Sequence, residues 1–355
     1  MTERALARID LRAITRNCRR LGRALADGSR LGVVVKSDGY GHGAREAAMA
    51  AISGGAQRIF VATAREAATL GPLPVPVAIL GALMPEELAM ALEGRAEVTA
   101  WDRDFVAALP AGTRVHVKLD TGMGRLGTRN AEEATAVADA VVAGGSVVAG
   151  LMSHFATSDE RGDTFFGEQL ERFSAWAGPL RERFPDALLH LANSAGTLRD
   201  PACHFDLVRC GIAIYGLDPF QVDAAAEELE PALALSSVVA AVKPLAVRES
   251  VGYGRRFAAE EPTRIATVPI GYGDGVRRGL TNNADVLIRG ERFPLVGTVS
   301  MDNITVDVGA AEVAVGDEVV LIGPGLPAEE MAARLGTINY EITCGLTARV
   351  PRVYG

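Results

Sequence analysis

Residues 31–43 read Leu-Gly-Val-Val-Val-Lys-Ser-Asp-Gly-Tyr-Gly-His-Gly, an apolar run that ends abruptly in a polar, glycine-rich turn. Apolar residues at consecutive rather than alternate positions are typical of a parallel strand that is covered on both faces. Lys36 is the first residue after the run. The stretch therefore predicts a buried strand of an α/β fold with Lys36 at its carboxyl end.

Seven further runs of this kind follow before residue 225, and stretches with helical spacing of Ala and Leu separate them. The eight runs cover residues 31–35, 58–62, 75–80, 96–100, 113–119, 147–152, 187–192 and 205–214. The intervening stretches carry helix signals, such as Pro85 followed by two glutamates. Eight strand–helix units predict a (β/α)8 TIM barrel, which usually takes about 250 residues. A doubly wound sheet is the alternative.

After residue 231 the pattern changes to short strands separated by turns. The runs cover residues 235–242, 264–270, 285–288, 293–299, 304–308 and 317–322. The turn Arg289-Gly290-Glu291 predicts a hairpin, and only residues 328–335 show helical spacing. An acidic, Ala-rich stretch near residues 223–231 marks the boundary. We expect a barrel over residues 1–228 and a mostly antiparallel β domain over residues 229–355.

Composition restricts the partners and the location of the chain. Of its 355 residues, 48% are hydrophobic and 23% are charged, which is enough apolar surface for packed cores. The formal net charge is −8 and the basic residues are scattered, which argues against nucleic acid as a partner. No apolar run approaches the roughly 18 residues of a membrane span, so we expect no membrane partner and a cytoplasmic location. The four cysteines and five histidines lack the spacing of a disulfide framework or a metal site.

Unusual polar residues follow the predicted barrel strands, at the ends where barrel enzymes carry out their chemistry. These residues are Lys36, Lys118, Asp120, Arg125, Ser153, His154, Asn193, Ser194 and Arg209. Each has an ordinary alternative, since a lysine at a strand end is usually solvated and His154 could be a hydrogen-bonded core residue. Arg209 lies inside an apolar run, and a buried guanidinium needs acceptors. The small residues around Ser194 suit a phosphate, because backbone N–H groups and a hydroxyl can reach its oxygens.

Several motifs carry a resemblance that covers almost the whole chain in collinear order. They include Lys36-Ser-Asp-Gly-Tyr40-Gly-His-Gly, Lys118-Leu-Asp-Thr-Gly-Met-Gly-Arg125, Arg209-Cys-Gly-Ile-Ala-Ile-Tyr215-Gly, Val251-Gly-Tyr253-Gly, Gly271-Tyr272-Gly-Asp274-Gly and Val299-Ser-Met301-Asp302. With these motifs the chain closely resembles bacterial alanine racemases. The resemblance implies an isomerase that uses pyridoxal 5'-phosphate and a two-base mechanism to interconvert L-alanine and D-alanine, supplying D-alanine for peptidoglycan.

The resemblance also implies roles for individual residues. Lys36 would hold the cofactor covalently and act as one catalytic base, with Tyr253 as the opposite base. The cofactor-binding positions would be Lys36, Tyr40, His154, Ser194, Arg209, Gly211, Ile212 and Tyr340, with Arg209 facing the pyridine nitrogen and hydrogen-bonded to His154. Arg125 and the backbone N–H of Met301 would hold the substrate carboxylate. The supporting residues would be Lys118, at a position often carbamylated, Tyr272 and Asp302. The family further implies a homodimer in which the β domain of one chain completes the barrel site of the other.

Some positions depart from the family pattern, among them residues 37–39, Gly273 and Ser300, and three rival functions remain. Residues 37–39 read Ser-Asp-Gly where relatives have Ala, then Asn or Asp, then Ala, and we expect Gly39 to loosen the loop before Tyr40. The first rival is a serine or broad-specificity racemase of the same fold. The others are a barrel-type pyridoxal decarboxylase, which the short chain disfavours, and a non-catalytic pyridoxal-phosphate carrier, whose single-domain form would lack Tyr253.

Overall fold

The computed structural model describes residues 3–355 and divides them into two compact units. The barrel unit consists of residues 14–220 and 224–230, and the β unit consists of residues 3–13, 221–223 and 231–355. Strand β1 (Ala5–Ile9) belongs to the β unit because it pairs with strands from the second half of the chain. This division differs from the expected boundary after residue 228, which assigns the first residues to the barrel.

Eight parallel strands alternate with helices in the barrel unit. The strands are β2 (Arg30–Val34), β3 (Arg58–Val61), β4 (Val77–Ile79), β5 (Val98–Ala100), β6 (Arg114–Lys118), β7 (Val147–Met152), β8 (Leu188–His190) and β9 (Leu207–Cys210). The helices are α1 (Leu11–Ala24), which begins in the β unit, α2 (Lys36–Tyr40), α3 (Ala44–Ser53), α4 (Ala64–Leu70), α5 (Pro85–Glu93), α6 (Arg103–Ala107), α7 (Ala131–Ala143), α8 (Phe165–Arg183) and α9 (Ser194–Arg199).

The strands form a closed ring. Two four-stranded parallel sheets have the orders β9-β2-β3-β4 and β5-β6-β7-β8. At one junction the N–H of Ile79 donates to the C=O of Glu97 at 2.8 Å. At the other, the N–H of Arg209 donates to the C=O of Ala192 at 2.9 Å. The predicted (β/α)8 barrel is confirmed.

Local sequence explains why these elements form. Strand β3 is buried at all of its positions, and complete burial of an aliphatic side chain contributes about 1.5–3 kcal/mol. Helix α4 begins with a capping box in which Thr63 and Glu66 each accept a hydrogen bond from the backbone N–H of the other. Helix α5 starts at Pro85, as predicted. Within residues 3–355, no helix is both long and apolar enough to cross a membrane.

The β unit is built on a nine-stranded sheet with the order β11-β14-β17-β16-β15-β18-β10-β1-β19. Its strands after β1 are β10 (Leu233–Val238), β11 (Ala241–Leu245), β14 (Thr263–Val268), β15 (Ala284–Ile288), β16 (Glu291–Val296), β17 (Ile304–Asp307), β18 (Glu318–Ile322) and β19 (Arg352–Tyr354), while β12 (Ser250–Val251) and β13 (Phe257–Ala258) form a separate pair. The helices are α10 (Ala328–Leu335) and α11 (Asn339–Cys344). Every neighbouring pair is antiparallel except β1 with β19, which confirms the predicted β domain.

The predicted hairpin forms, because Arg289 and Gly290 both adopt positive φ between β15 and β16. Three other expectations were wrong in detail. The run at 205–214 leaves the strand after Cys210, since Gly211 departs from extended backbone and a 3-10 helix follows. The run at 235–242 is two strands, because the chain changes pairing partner between residues 239 and 240. Helical spacing was found only at residues 328–335 of this domain, but helix α11 also forms. Its six residues are too few to show a helical period in the sequence.

Candidate active site

Lys36 lies at the carboxyl end of β2, where the chain makes a left-handed turn. Five consecutive residues have positive φ: Ser37 (52°), Asp38 (52°), Gly39 (61°), Tyr40 (54°) and Gly41 (86°). Such a conformation costs roughly 1–2 kcal/mol for each residue other than glycine, so tertiary contacts must hold it. The N–H of Ser37 donates to Glu66 Oε1 at 2.8 Å, and the N–H of Ala44 donates to Asp38 Oδ1 at 3.0 Å. Gly39 is buried and adopts its φ without steric penalty, so it suits the turn that we expected it to loosen.

The turn places the Tyr40 hydroxyl beside the residues that follow β8 and β9. A Cβ atom on Gly211 would lie only 2.4 Å from Tyr40 Oη, so only glycine permits this approach. Ser194, the first residue of α9, accepts hydrogen bonds at Oγ from the N–H of Gly211 at 2.9 Å and from that of Ala213 at 3.3 Å. Ile212 begins the 3-10 helix between them. Two hydroxyls therefore lie beside the backbone at the start of this 3-10 helix, which is the kind of surrounding that a phosphate needs.

Arg209 lies in the barrel interior with only 2% of its surface exposed. Its NH2 donates to the C=O of Ser153 at 2.8 Å and of Leu191 at 3.1 Å, and it lies 3.1 Å from His154 Nδ1. Its NH1 lies 2.8 Å from His190 Nδ1. Burial lowers the pKa of Arg209 to about 10, which still leaves it charged at neutral pH. Within residues 3–355 only one N–H of NH1 is engaged, so a donor remains for a ring nitrogen.

Three further candidate residues share the electrostatic environment of Arg209. Burial, followed by the charges of Arg209 and Arg125, lowers the pKa of Lys118 to about 8. Burial and then the charges of Arg209, Lys118, Arg125 and Lys36 keep the pKa of His154 well below its usual range. Arg125 itself is exposed on the loop after β6. The structure thus brings the barrel candidates together at the carboxyl ends of the strands.

That loop is shaped by the carboxylate of Asp120. It accepts hydrogen bonds from the N–H of Gly122 at 2.9 Å, from the N–H of Gly124 at 3.1 Å and from Arg129 Nε at 3.2 Å. Burial alone would raise the pKa of Asp120, but these donors hold it below the ordinary value. The ionised carboxylate therefore fixes the backbone from which Arg125 projects.

Tyr253, Tyr272 and Met301 lie on neighbouring loops of the β unit. The C=O of Tyr253 accepts a hydrogen bond from Thr298 Oγ1 at 2.6 Å, and the N–H of Tyr272 donates to the C=O of Ser300 at 3.0 Å. The three side chains are 74%, 43% and 51% exposed, in the same order. Large side chains that are this exposed and lie on connected loops are available to another surface or to a ligand.

An ion-pair network supports these loops. Asp302 pairs with Arg349 at 2.6 Å, and Arg349 also approaches the buried carboxylate of Asp274 at 3.4 Å. Burial alone would raise the pKa of Asp274, but hydrogen bonds from Arg4 and from the N–H of Gly271 lower it. Tyr340, the remaining candidate, is half-buried on α11.

Sequence reasoning missed a buried polar group that contacts Arg209. His190, His116 and Glu97 lie on or beside strands β8, β6 and β5, and each is at most 1% exposed. The only signal in the sequence was a histidine inside the apolar run Val115-His-Val117 and another at the end of Leu188-Leu-His190.

Comparison with known proteins agrees with this geometry. Residues 9–219 match the family described as "Alanine racemase, N-terminal domain", and residues 232–354 match "Alanine racemase, C-terminal domain". The alanine racemase of Desulforamulus reducens is 40% identical, with 100% of both chains covered. The chain belongs to the alanine racemase family. The resemblance inferred from the motifs is therefore confirmed.

Solved alanine racemases share the fold over the full length. The enzyme from E. faecalis superposes with a TM-score of 0.94 at 36% identity and covers 100% of both chains. The enzyme from Bartonella henselae, whose structure contains covalently bound pyridoxal phosphate, has a TM-score of 0.90 at 29% identity, covering 99% of this chain and 100% of that one.

Proposed function

We propose that this chain is an isomerase that interconverts L-alanine and D-alanine with the help of pyridoxal 5'-phosphate. Membership of the alanine racemase family supports the reaction. The observation that carries the proposal is the buried, charged Arg209 beside Lys118 and His154 at the carboxyl ends of the barrel strands. A guanidinium only donates hydrogen bonds, so it opposes protonation of a pyridine nitrogen and thereby disfavours side reactions.

The residues present fit the cofactor. The hydroxyls of Tyr40 and Ser194, with the backbone of Gly211 and Ile212, would hold its phosphate, and Tyr340 would contribute from the β unit. An N–H of Arg209 that is not engaged by the barrel would face its ring nitrogen, and Lys36 would hold it covalently. When bound, pyridoxal phosphate supplies the electron sink that acidifies the α-proton of the amino acid.

Two bases on opposite faces of the substrate account for racemisation. One removes the α-proton and the other returns a proton to the opposite face, so both must have pKa values suited to the working pH. We assign these roles to the amine of Lys36 and the phenol of Tyr253. The guanidinium of Arg125 and the N–H of Met301 would hold the substrate carboxylate between them, while Lys118 would support Arg125.

The working unit is proposed to be a homodimer in which Tyr253 of one chain serves Lys36 of the other. The exposure of Tyr253, Tyr272 and Met301 supports this arrangement, because a partner would cover them. Two-fold symmetry would then give two equivalent sites. Tyr272 and Asp302 would have supporting roles on the loops of the covering chain. A role in wall synthesis and a cytoplasmic location stay predictions.

Chiral analysis and active-site labelling test the proposal together. Incubation of the purified holoenzyme with L-alanine should yield equal amounts of both enantiomers, since mirror images have equal free energy. Borohydride reduction and peptide mapping should place the pyridoxyl mass on Lys36. The sequence contains only two other lysines, Lys118 and Lys243, and Lys243→Ala is a matched control that should keep full activity. Absence of D-alanine, or a label on either of the other lysines, would contradict the proposal.

A further inference from the structure

A line of four buried polar side chains runs through the barrel interior from Arg209. Arg209 NH1 lies 2.8 Å from His190 Nδ1, and His190 Nε2 lies 2.9 Å from His116 Nδ1. His116 Nε2 in turn lies 2.8 Å from Glu97 Oε2. These residues are 0–2% exposed, so solvent does not interrupt the line. We refer to these four residues as the barrel relay.

The two ends of the barrel relay fix the position of every proton in it. A guanidinium can only donate, so His190 Nδ1 must accept and the ring must carry its proton on Nε2. A carboxylate can only accept, so His116 must carry its proton on Nε2 and accept at Nδ1. Each contact then holds one proton, and both rings are neutral and in the same tautomer. Burial keeps the pKa of both histidines well below the usual range, in agreement with neutral rings.

The far end of the relay is anchored by two arginines. Glu97 Oε1 accepts a hydrogen bond from Arg114 at 2.7 Å, and Oε2 forms an ion pair with buried Arg58. Arg58 also approaches His116 Nε2, but at 3.5 Å this contact is too long to compete with the 2.8 Å bond from His116 to Glu97. Glu97 is therefore held as a carboxylate, which is the state that the proton order requires.

Gly150 of strand β7 lies where the rings of His116 and His190 meet. A Cβ atom on Gly150 of β7 would lie 2.4 Å from His116 Nδ1 and 2.8 Å from His190 Nε2. Any side chain there would separate the rings. The contact between the histidines therefore depends on a glycine from a third strand.

The other acceptors of Arg209 are carbonyl groups and His154, all of them neutral. Through the barrel relay, Glu97 is the carboxylate to which the guanidinium is connected by hydrogen bonds. If His116 were in the other tautomer, its proton would be on Nδ1 and would point toward His190. His190 would then present an N–H to the N–H of Arg209, and the guanidinium would be pushed aside.

We propose that Glu97, His116 and His190 are positioning residues that hold Arg209 as a donor toward the cofactor ring nitrogen, and so set reaction specificity. This inference rests on the proposed function. When Arg209 is loosely held, it opposes protonation of the ring nitrogen less. Protons are then returned more often to the wrong carbon, in a half-transamination that converts alanine and pyridoxal phosphate to pyruvate and pyridoxamine phosphate.

The tautomers are tested first, on the wild-type holoenzyme. The chain has five histidines, so its ¹⁵N-histidine NMR spectrum can be assigned with single substitutions. His116 and His190 should both show a protonated Nε2 and a bare Nδ1. A protonated Nδ1 on either ring would overturn the relay. This readout does not depend on catalysis, so it stands even if chiral analysis finds no racemisation and the proposed function fails.

Substitution at His116 tests the effect on specificity. Leucine and asparagine are both smaller than histidine, but they differ in hydrogen bonding. His116→Leu removes the acceptor for His190, whereas His116→Asn places an acceptor near the position of Nδ1. We expect His116→Leu to release pyridoxamine phosphate on the order of tenfold more often per racemisation turnover, and His116→Asn to stay within about twofold of wild type. Lys243→Ala, on the exposed part of β11 and without a contact to the relay, is the control and should leave this ratio unchanged. An unchanged ratio in His116→Leu, or an equal rise in both His116 variants, would overturn the proposal. If His116→Leu does not fold, the wild-type tautomers decide.

Discussion

The surroundings of Lys118 favour its neutral amine over its ammonium form. Burial and the cations Arg209 and Arg125 lower its pKa to about 8. At pH 7 about a tenth of such amines are neutral, against roughly one in 2,500 for an ordinary lysine. A neutral amine can add carbon dioxide, and the resulting carbamate is an anion. The cations that destabilise the ammonium form would therefore stabilise the carbamate.

We predict that Lys118 is carbamylated at neutral pH when bicarbonate is present. Protein equilibrated with ¹³C-bicarbonate should show a carbamate carbon resonance that is absent from Lys118→Met and retained in Lys243→Met. Its intensity should fall as the pH drops below 8, because protonation removes the reactive amine. A resonance that survives in the Lys118 variant would assign the carbamate elsewhere.

The left-handed turn after β2 and the loop after β9 together make the hydroxyl cluster. We predict that Gly211→Ala weakens pyridoxal phosphate binding by roughly tenfold or more, because the new methyl group would overlap the Tyr40 hydroxyl and displacing a packed side chain costs about 1–3 kcal/mol. Spectroscopic titration of the apoprotein measures the dissociation constant. Gly178→Ala in α8, where no neighbouring atom of residues 3–355 lies within 4 Å of the added carbon, is the matched control. Equal affinities in the two variants would show that the hydroxyl cluster does not hold the cofactor.

Strands of the barrel could be predicted from sequence because they are buried on both faces and so form continuous apolar runs. Strand β7 coincides with the predicted run at 147–152. The left-handed turn after β2 could not be predicted from sequence, because it depends on Glu66, which belongs to the next strand–helix unit. The barrel relay could not be predicted from sequence either, for the same reason. Its members are brought together only by closure of the ring, and His116 and His190 are 74 residues apart in sequence.

The motifs named the candidate residues of both units, but they could not show what holds them. Arg209 was recognised as a residue that needs acceptors, and the structure supplies two carbonyl groups and two histidines. No local pattern encodes such long-range partners. The short helix α11, which carries Tyr340, was missed because six residues are too few to reveal a helical period.

For the whole molecule, the homodimer proposal predicts complementation between inactive subunits. Lys36→Ala and Tyr253→Phe chains, mixed in equal amounts and allowed to exchange, should form mixed dimers in half of all pairings. Each mixed dimer would contain one doubly defective site and one intact site, so activity should return to about a quarter of wild type. Native mass spectrometry verifies exchange. Mixed dimers without activity would mean that both bases act within one chain.

Proton exchange by Tyr253→Phe in deuterated water tests the two-base racemisation most directly. If Lys36 serves the D-enantiomer and Tyr253 the L-enantiomer, the variant should lose racemisation in both directions. It should still exchange the α-proton of D-alanine for deuterium, because Lys36 remains, while L-alanine should keep its proton. Chiral chromatography with mass detection measures both quantities in one sample. Equal exchange of both enantiomers by Tyr253→Phe would contradict the assignment of separate bases to the two faces.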